Sequence, residues 1–479
     1  MNAKHVNQAW LLAVLAAASA CDSRSLQLHL DASVKNRESG VDVAPISQPA
    51  VAGQCADGYA PCGQGEGLRC FDLARAQDNC GACGNACAAG IDCQAGTCQQ
   101  SGCKGPLSFK TLVFGSAGSF SALGDFDGDG ILDVVGVSEG SLPLSDGLSP
   151  MILLYGVGDG TFSAGPAIDH PSEWIAPDSG VPTMGWQYAW PALAADLDGD
   201  GRLDLVSTRG VDSAVVVRLG SGSRSAPFGP PTRYPTSGIA STLILADFDR
   251  DGRLDLAAHL TGAFDYWRGQ GDGRFVQQAT VGVPRPSDWY AGFAQTFDWN
   301  GDGALDLVYS EGGTSGVFSG PQLGYGAGLR YRLGRGDGTF GGEVACGLAM
   351  GFAGDLDHDR RPDLISSSAI MGASLSLGIT DCSASTVVSI TDWTKEGGVA
   401  FADLNGDGHQ DVILDDNQAI MVHVGDGKGG FPHELTIPAP TAGQWPHGGF
   451  LVGDLNRDGK MDVVFSRWGG SGVLLNTCQ

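Results

Sequence analysis

From residue 104 onward the chain alternates short apolar runs, each the length of a β-strand, with turns rich in Asp and Gly. "ALAADLDGDGRLDLVS" and "LILADFDRDGRLDLAA" show the arrangement: an apolar run, an acidic turn, then a second apolar run. The runs favour Val, Leu and Ile, and none settles into the 3.6-residue period of an amphipathic helix. The pattern predicts hairpins and excludes a helical solenoid.

The acidic turn is a nine-residue unit, D-x-[DN]-x-D-[GR]-x-x-D, that occurs seven times. Its copies begin at Asp125, Asp196, Asp247, Asp298, Asp355, Asp403 and Asp454, so successive starts lie 71, 51, 51, 57, 48 and 51 residues apart. A second signature close to G-x-G-D-G-x-F follows several of them: "GVGDGTF" (156–162), "GQGDGRF" (269–275), "GRGDGTF" (334–340) and a looser "GDGKGGF" (425–431). A period of about fifty residues, with room for four short strands, is that of a propeller blade. The expected fold is all-β: a seven-bladed β-propeller over residues 104–479, with an insertion at about 163–189 between the first two units.

Four carboxylates in nine positions repel one another unless a cation gathers them. Turn chemistry accounts for Asp-Gly but not for the further acids. A carboxylate at every second residue points several hard oxygens at one place, which suits Ca²⁺ with its six to eight ligands. In the first loop the expected ligands are Asp125, Asp127, Asp129 and Asp133, with the backbone carbonyl of Ile131. By position the others are Asp196, Asp198, Asp200 and Asp204; Asp247, Asp249, Asp251 and Asp255; and Asp298, Asn300, Asp302 and Asp306. The last three sets are Asp355, Asp357, Asp359 and Asp363; Asp403, Asn405, Asp407 and Asp411; and Asp454, Asn456, Asp458 and Asp462. The final acid falls at position nine, and a strand follows it, which separates these loops from EF-hands. In the fifth copy Arg360 replaces the glycine of the bend and Arg361 adds charge, so strain and weak calcium binding are expected there.

Composition agrees. Glycine is abundant, at 75 of 479 residues, and 54 acidic side chains against 28 basic ones give a net charge of −26. Such a chain disfavours nucleic acid and anionic membrane surfaces as partners and suits a collector of cations. Seven Ca²⁺ ions, one per blade, would bring the charge to about −12.

These repeats resemble the FG-GAP/VCBS family of calcium-binding β-propeller repeats, the fold of integrin α-subunit heads and some fungal lectins. The resemblance implies a calcium-stiffened ring whose ligand binds on the face opposite the calcium loops. Trp190, Trp289 with Tyr290, Trp393 and Trp445 each stand shortly before a calcium loop, where a connection would lead into the innermost strand. They, and Trp174, Trp186 and Tyr188 of the insertion, are candidates to stack on sugars or anchor a peptide; wedging between blades is the alternative. Arg335-Gly336-Asp337 is part of the repeated G-x-G-D-G-x-F unit rather than a separate adhesive motif.

Residues 1–20 read as an export signal: Lys4, then an apolar run from Ala9 to Ala18 too short to span a bilayer. "Ala18-Ser19-Ala20" fits an ordinary cleavage site, and with Cys21 it also resembles a bacterial lipoprotein box. Thirteen cysteines less a lipidated Cys21 leave an even number for disulfides, which favours the lipoprotein route. Residues 21–54 read as a lipidated N-terminus and flexible tether, and residues 55–103 as a disulfide-rich module. Cys103 and Cys478 bracket the propeller and are expected to bond across its seam, leaving Cys346 with Cys382.

No H-E-x-x-H, G-x-S-x-G or Walker-type loop occurs. The expected function is therefore non-catalytic binding or adhesion at the cell envelope, by a monomer tied to the membrane only through its lipid, with a carbohydrate or protein ligand. A carbohydrate-active enzyme (polysaccharide lyase or hydrolase) on the same scaffold is the second reading, and a purely structural scaffold the third.

Overall fold

The computed structural model describes residues 103, 105–114, 119–137, 151–168, 192–208, 213–238, 240–260, 263–282, 289–313, 328–349, 351–368, 372–379, 382, 386–390, 399–415, 419–438, 449–466 and 471–478, with five short strands before them. Those five are β1 (Ser47–Pro49), β2 (Ala60–Cys62), β3 (Arg69–Phe71), β4 (Asp92–Gln94) and β5 (Thr97–Gln99). They pair as a three-stranded sheet in the order β1-β3-β2 and a hairpin β4-β5.

The remaining strands run in chain order from β6 (Phe109–Val113). Sheet A holds β7 (Ser119–Gly124), β8 (Asp133–Val137), β9 (Met151–Gly156) and β10 (Phe162–Ile168). Sheet B holds β11 (Ala192–Ala195), β12 (Asp204–Thr208), β13 (Ala214–Arg218) and β14 (Thr232–Pro235). Sheet C holds β15 (Thr242–Ala246), β16 (Asp255–Leu260), β17 (Ala263–Gly269), β18 (Phe275–Gln277) and the two-residue β19 (Val281–Gly282). Sheet D holds β20 (Trp289–Phe297), β21 (Asp306–Gly313), β22 (Gly328–Arg332) and β23 (Val344–Ala349). Sheet E holds β24 (Gly351–Gly354), β25 (Asp363–Ser368), β26 (Gly372–Leu377) and β27 (Thr386–Ile390). Sheet F holds β28 (Val399–Ala402), β29 (Asp411–Asp415), β30 (Ala419–Val424) and β31 (His433–Pro438). Sheet G holds β32 (Phe450–Gly453), β33 (Asp462–Phe465) and β34 (Gly472–Asn476), and takes β6 as its outer strand.

Each sheet is an antiparallel meander, and the architecture is a β-propeller. First strands pack side by side: β7 on β11, β11 on β15, β15 on β20, β20 on β24, β28 on β32, and β32 back on β7. The uniform seven blades expected from the repeat need correcting. Six sheets have four strands and sheet C has five, because after β18 the chain returns to pair Val281 with Phe264 and Gly282 with Ala263 on β17. The expected insertion is also shorter at its start, since residues 162–168 form β10 rather than leaving the ring.

The apolar runs are continuous rather than alternating because both faces of each sheet are covered. In β12, Leu205 packs toward sheet A with Phe126 and Leu153, while Val206 packs toward sheet C with Leu256 and Trp267. The same division repeats around the ring: Leu307 faces sheet C and Val308 sheet E; Val412 faces sheet E and Ile413 sheet G. Between sheets G and A, Leu451, Val464 and Val473 meet Phe120 and Val134. Each such fully buried side chain stabilises the fold by about 1.5–3 kcal/mol before entropy is counted. The core is thus a ring of inter-sheet layers with no single centre.

Closure joins the two ends of the propeller sequence. β6 pairs with β34, from Gly472 opposite Val113 to Asn476 opposite Phe109. The Cys103–Cys478 disulfide lies beside this pairing, with Cα atoms 5.4 Å apart, and the Cys103 amide donates to the Asn405 carbonyl. Cys346 and Cys382 form the second bond, both as expected from the sequence.

Candidate metal centres

Every acidic loop joins the first and second strands of its sheet, so all seven lie at one end of the ring. Their backbones share one hydrogen-bond pattern. The amide of position six donates to the first aspartate, as Gly130 does to Asp125 and Gly459 to Asp454. The amide of position five donates to the side-chain oxygen of position three, whether Asp127 or Asn300. The amide of position seven donates to the fifth, as Ile131 does to Asp129 and His409 to Asp407. The acids are spaced by two because each folds back on the amide ahead of it, an Asx-type turn repeated along the loop.

Two consequences escaped the sequence pattern. Position two is a buried apolar anchor in every loop (Phe126, Leu197, Phe248, Trp299, Leu356, Leu404, Leu455), which pins the loop to an inter-sheet layer. Positions four and six are both left-handed, where only position six was expected to be. Gly128 and Gly130 have φ of 77° and 79°, and non-glycine residues take that conformation at Arg250, His358, Arg457 and Arg360. The fifth loop carries two of them, His358 at 60° and Arg360 at 65°, so the strain expected there is doubled.

The ninth aspartate also braces the backbone. Asp133 accepts from the Phe126 amide with one oxygen and from the Gly156 amide with the other, at 2.9 Å each. Asp204, Asp255, Asp306, Asp363 and Asp411 bind the same way, to position two and to Gly220, Gly269, Gly334, Gly378 and Gly425. Asp462 bonds Leu455 and Asn476. The first glycine of G-x-G-D-G-x-F thus sits against the acidic loop, where a Cβ on Gly269 would lie 2.1 Å from the Leu254 carbonyl oxygen. The two sequence signatures are halves of one unit.

Burial without a countercharge disfavours ionisation here. It pushes Asp133, Asp411 and Asp462 up to about 7 and Asp204, Asp306 and Asp363 up to about 6, against the amide donors that lower them. Asp125, Asp355, Asp403 and Asp454 are raised for the same first reason. Ligand atoms of Asp125, Asp127 and Asp133 lie within 4.8 Å of one another, as do those of Asp196, Asp198 and Asp204. In the third and fifth loops the gathered trio is Asp247, Asp249 and Asp251, and Asp355, Asp357 and Asp359, with the fifth position in place of the ninth. The fourth, sixth and seventh loops offer an amide oxygen at Asn300, Asn405 and Asn456 instead.

Arginines lean on several of these carboxylates. Arg224 reaches across from sheet B to Asp127 at 2.7 Å, its guanidinium over the Tyr155 ring, and Arg268 pairs with Asp249 and Asp251. The donor set is oxygen throughout, and Asp355 Oδ1 is buried without a hydrogen-bond partner, an atom that a cation would satisfy. These residues fit calcium, which would neutralise carboxylates that burial alone leaves disfavoured.

Of the aromatic candidates, Trp190, Trp393 and Trp445 lie outside the described residues, as do Trp174, Trp186, Tyr188 and Cys21. Trp289 and Tyr290 stand in β20 itself, opposite Gly313 and Gly312, rather than in a connection leading into the strand. They occupy the end of β20 away from the acidic loop. Arg335 and Asp337 are tied into their own turn through Thr339, consistent with a structural role for that tripeptide.

Residues 125–207, 196–258 and 403–465 match the FG-GAP-like repeat, so these parts of the β-propeller are FG-GAP-like repeats. Among solved structures the chain is similar to a lectin from Agrocybe aegerita described as recognising non-reducing terminal N-acetylglucosamine, at 20% identity and TM-score 0.44, over 70% of this chain and 82% of that one. It is also similar to a chain in a crystal structure of BBS1N in complex with ARL6DN, at 9% identity and TM-score 0.48, over 78% of this chain and 99% of that one. Sqt1 of Saccharomyces cerevisiae matches at 11% identity and TM-score 0.45, over 78% and 100%. No curated protein matches the sequence.

Proposed function

We propose that this chain is a calcium-stabilised propeller that binds a carbohydrate or a protein at the cell envelope without turning it over. The observation that carries the reading is the set of seven loops with one hydrogen-bond pattern at one end of the ring. Each presents oxygen ligands that burial disfavours in ionised form, and calcium supplies the missing charge. Counting the five-stranded sheet C as one blade gives a ring of seven and up to seven Ca²⁺ ions, with the fifth loop binding most weakly.

In this reading the calcium end stiffens the ring and the opposite end takes the ligand. The connections that join strand ends there carry Trp174, Trp186, Tyr188, Trp190, Trp393 and Trp445 in their sequence, and aromatic faces suit sugars and peptides alike. In the same reading the leader-like residues 1–20 and Cys21 support export, with the protein held to a membrane by its lipid and acting as a monomer. Calcium titration of the chelated protein should find six or seven sites, and fewer than four overturns the calcium assignment. A glycan array read for both binding and cleavage tests the rest: retention without products supports it, and polysaccharide cleavage overturns it.

A further inference from the structure

Position four of the acidic loops has a use of its own. It is glycine in loops one, two, four and six (Gly128, Gly199, Gly301, Gly406), as its left-handed φ favours. In loops three and seven it is arginine, and the side chain reaches the next loop around the ring. Arg250 donates to the Asp302 carbonyl, and Arg457 donates to the Asp129 and Gly130 carbonyls. These are inter-sheet latches. In loop five the same position is His358, and loop six meets it with a second imidazole, His409. His409 Nδ1 lies 3.4 Å from His358 Nε2, with ring centroids 5.5 Å apart.

We propose that this pair is a metal site of a second kind, taking one imidazole-preferring divalent ion such as Zn²⁺ between sheets E and F. A tetrahedral ion with metal–nitrogen bonds of about 2.0–2.1 Å holds two nitrogens about 3.4 Å apart, the separation already present without it. The pair differs from the calcium loops in chemistry as well as place. Imidazole nitrogen suits zinc, nickel and copper, whereas calcium takes oxygen. His358 is exposed and His409 half-buried, so water can complete the coordination. Gly427 leaves the space this needs, since a Cβ there would come within 2.3 Å of His409 Nδ1. The acidic loops on either side concentrate cations around it. Where arginine latches loops three and seven, loop five meets loop six through this imidazole contact, which the metal would tighten into a latch.

The test uses the full chain with calcium in saturating excess, so that the acidic loops are occupied, at one fixed pH of about 7.5 because metal affinity depends on pH. Zinc titration should find one site, and zinc should raise the unfolding midpoint. His358→Gly carries the residue that four other loops use, and His358→Arg the residue of the other latches, so both should fold. Each, like His409→Gln, should weaken zinc binding by about ten-fold or more and abolish the zinc-dependent rise. Zinc affinity unchanged in His358→Gly and His409→Gln, or no zinc binding by the parent chain, overturns the proposal. Calcium stoichiometry is measured separately, and these variants should leave it unchanged, so failure of one assignment is distinguishable from failure of the other.

Discussion

The ninth aspartate of each loop is the most constrained carboxylate in the chain. Asp411 is buried and accepts from Leu404 and Gly425, so replacing it with alanine strands two amides and opens both halves of the unit. Asp411→Ala should cost about 3 kcal/mol or more, read as a shift in urea midpoint. The pH dependence follows from the same burial. Aspartate in an unfolded chain titrates at about 3.9, whereas Asp133, Asp411 and Asp462 are pushed up to about 7 in the fold. Between those values the folded, metal-free chain binds more protons than the unfolded one, so its stability falls as pH rises from about 4 to about 7. In chelator the thermal midpoint should be higher near pH 5 than near pH 8, and calcium, on the proposal that it binds the ionised loops, should reverse that order. A flat profile in chelator would contradict the burial argument. Strain gives a prediction of opposite sign: Arg360→Gly should stabilise the chain by about 1 kcal/mol, because a left-handed φ of 65° opposes any side chain.

At the scale of the element, sheets A, C, D and F are each built from two hairpins locked to each other. The acidic loop turns the first strand into the second, and the G-x-G-D-G-x-F turn brings the third into the fourth. The ninth aspartate bonds both. Close backbone approach makes the first glycine of the second turn obligatory, so Gly269→Ala should destabilise by about 1–3 kcal/mol through its clash with the Leu254 carbonyl. Equilibrium unfolding of that variant against one at the open Gly342, where a Cβ meets nothing within 4 Å, separates the clash from the general effect of adding a methyl group.

For the whole molecule, stability depends on closing the ring. Beside the β6–β34 pairing, the Cys103–Cys478 bond joins residues 375 apart in sequence, and cross-linking so long a loop restricts the unfolded chain by about 4–5 kcal/mol in the entropy model. Cys478→Ser should lower the unfolding midpoint markedly while calcium stoichiometry stays the same, because the loops are local and the seam is not.

The sequence by itself determined what is local and repeated: the propeller period, the acidic loops and their hairpins, each of which depends on short spacings that a single chain displays. The pairing of four cysteines was legible from a different signal, since Cys103 and Cys478 bracket the repeats 375 residues apart. Tertiary structure decided what depends on neighbours. It showed that position nine is shared between acidic loop and hairpin, because Gly156 and its counterparts come from later in the chain. It showed that β19 adds a fifth strand to sheet C, because one short return happens to lie along β17. It also brought His358 to His409, residues of different units that meet only because the ring sets loop five beside loop six.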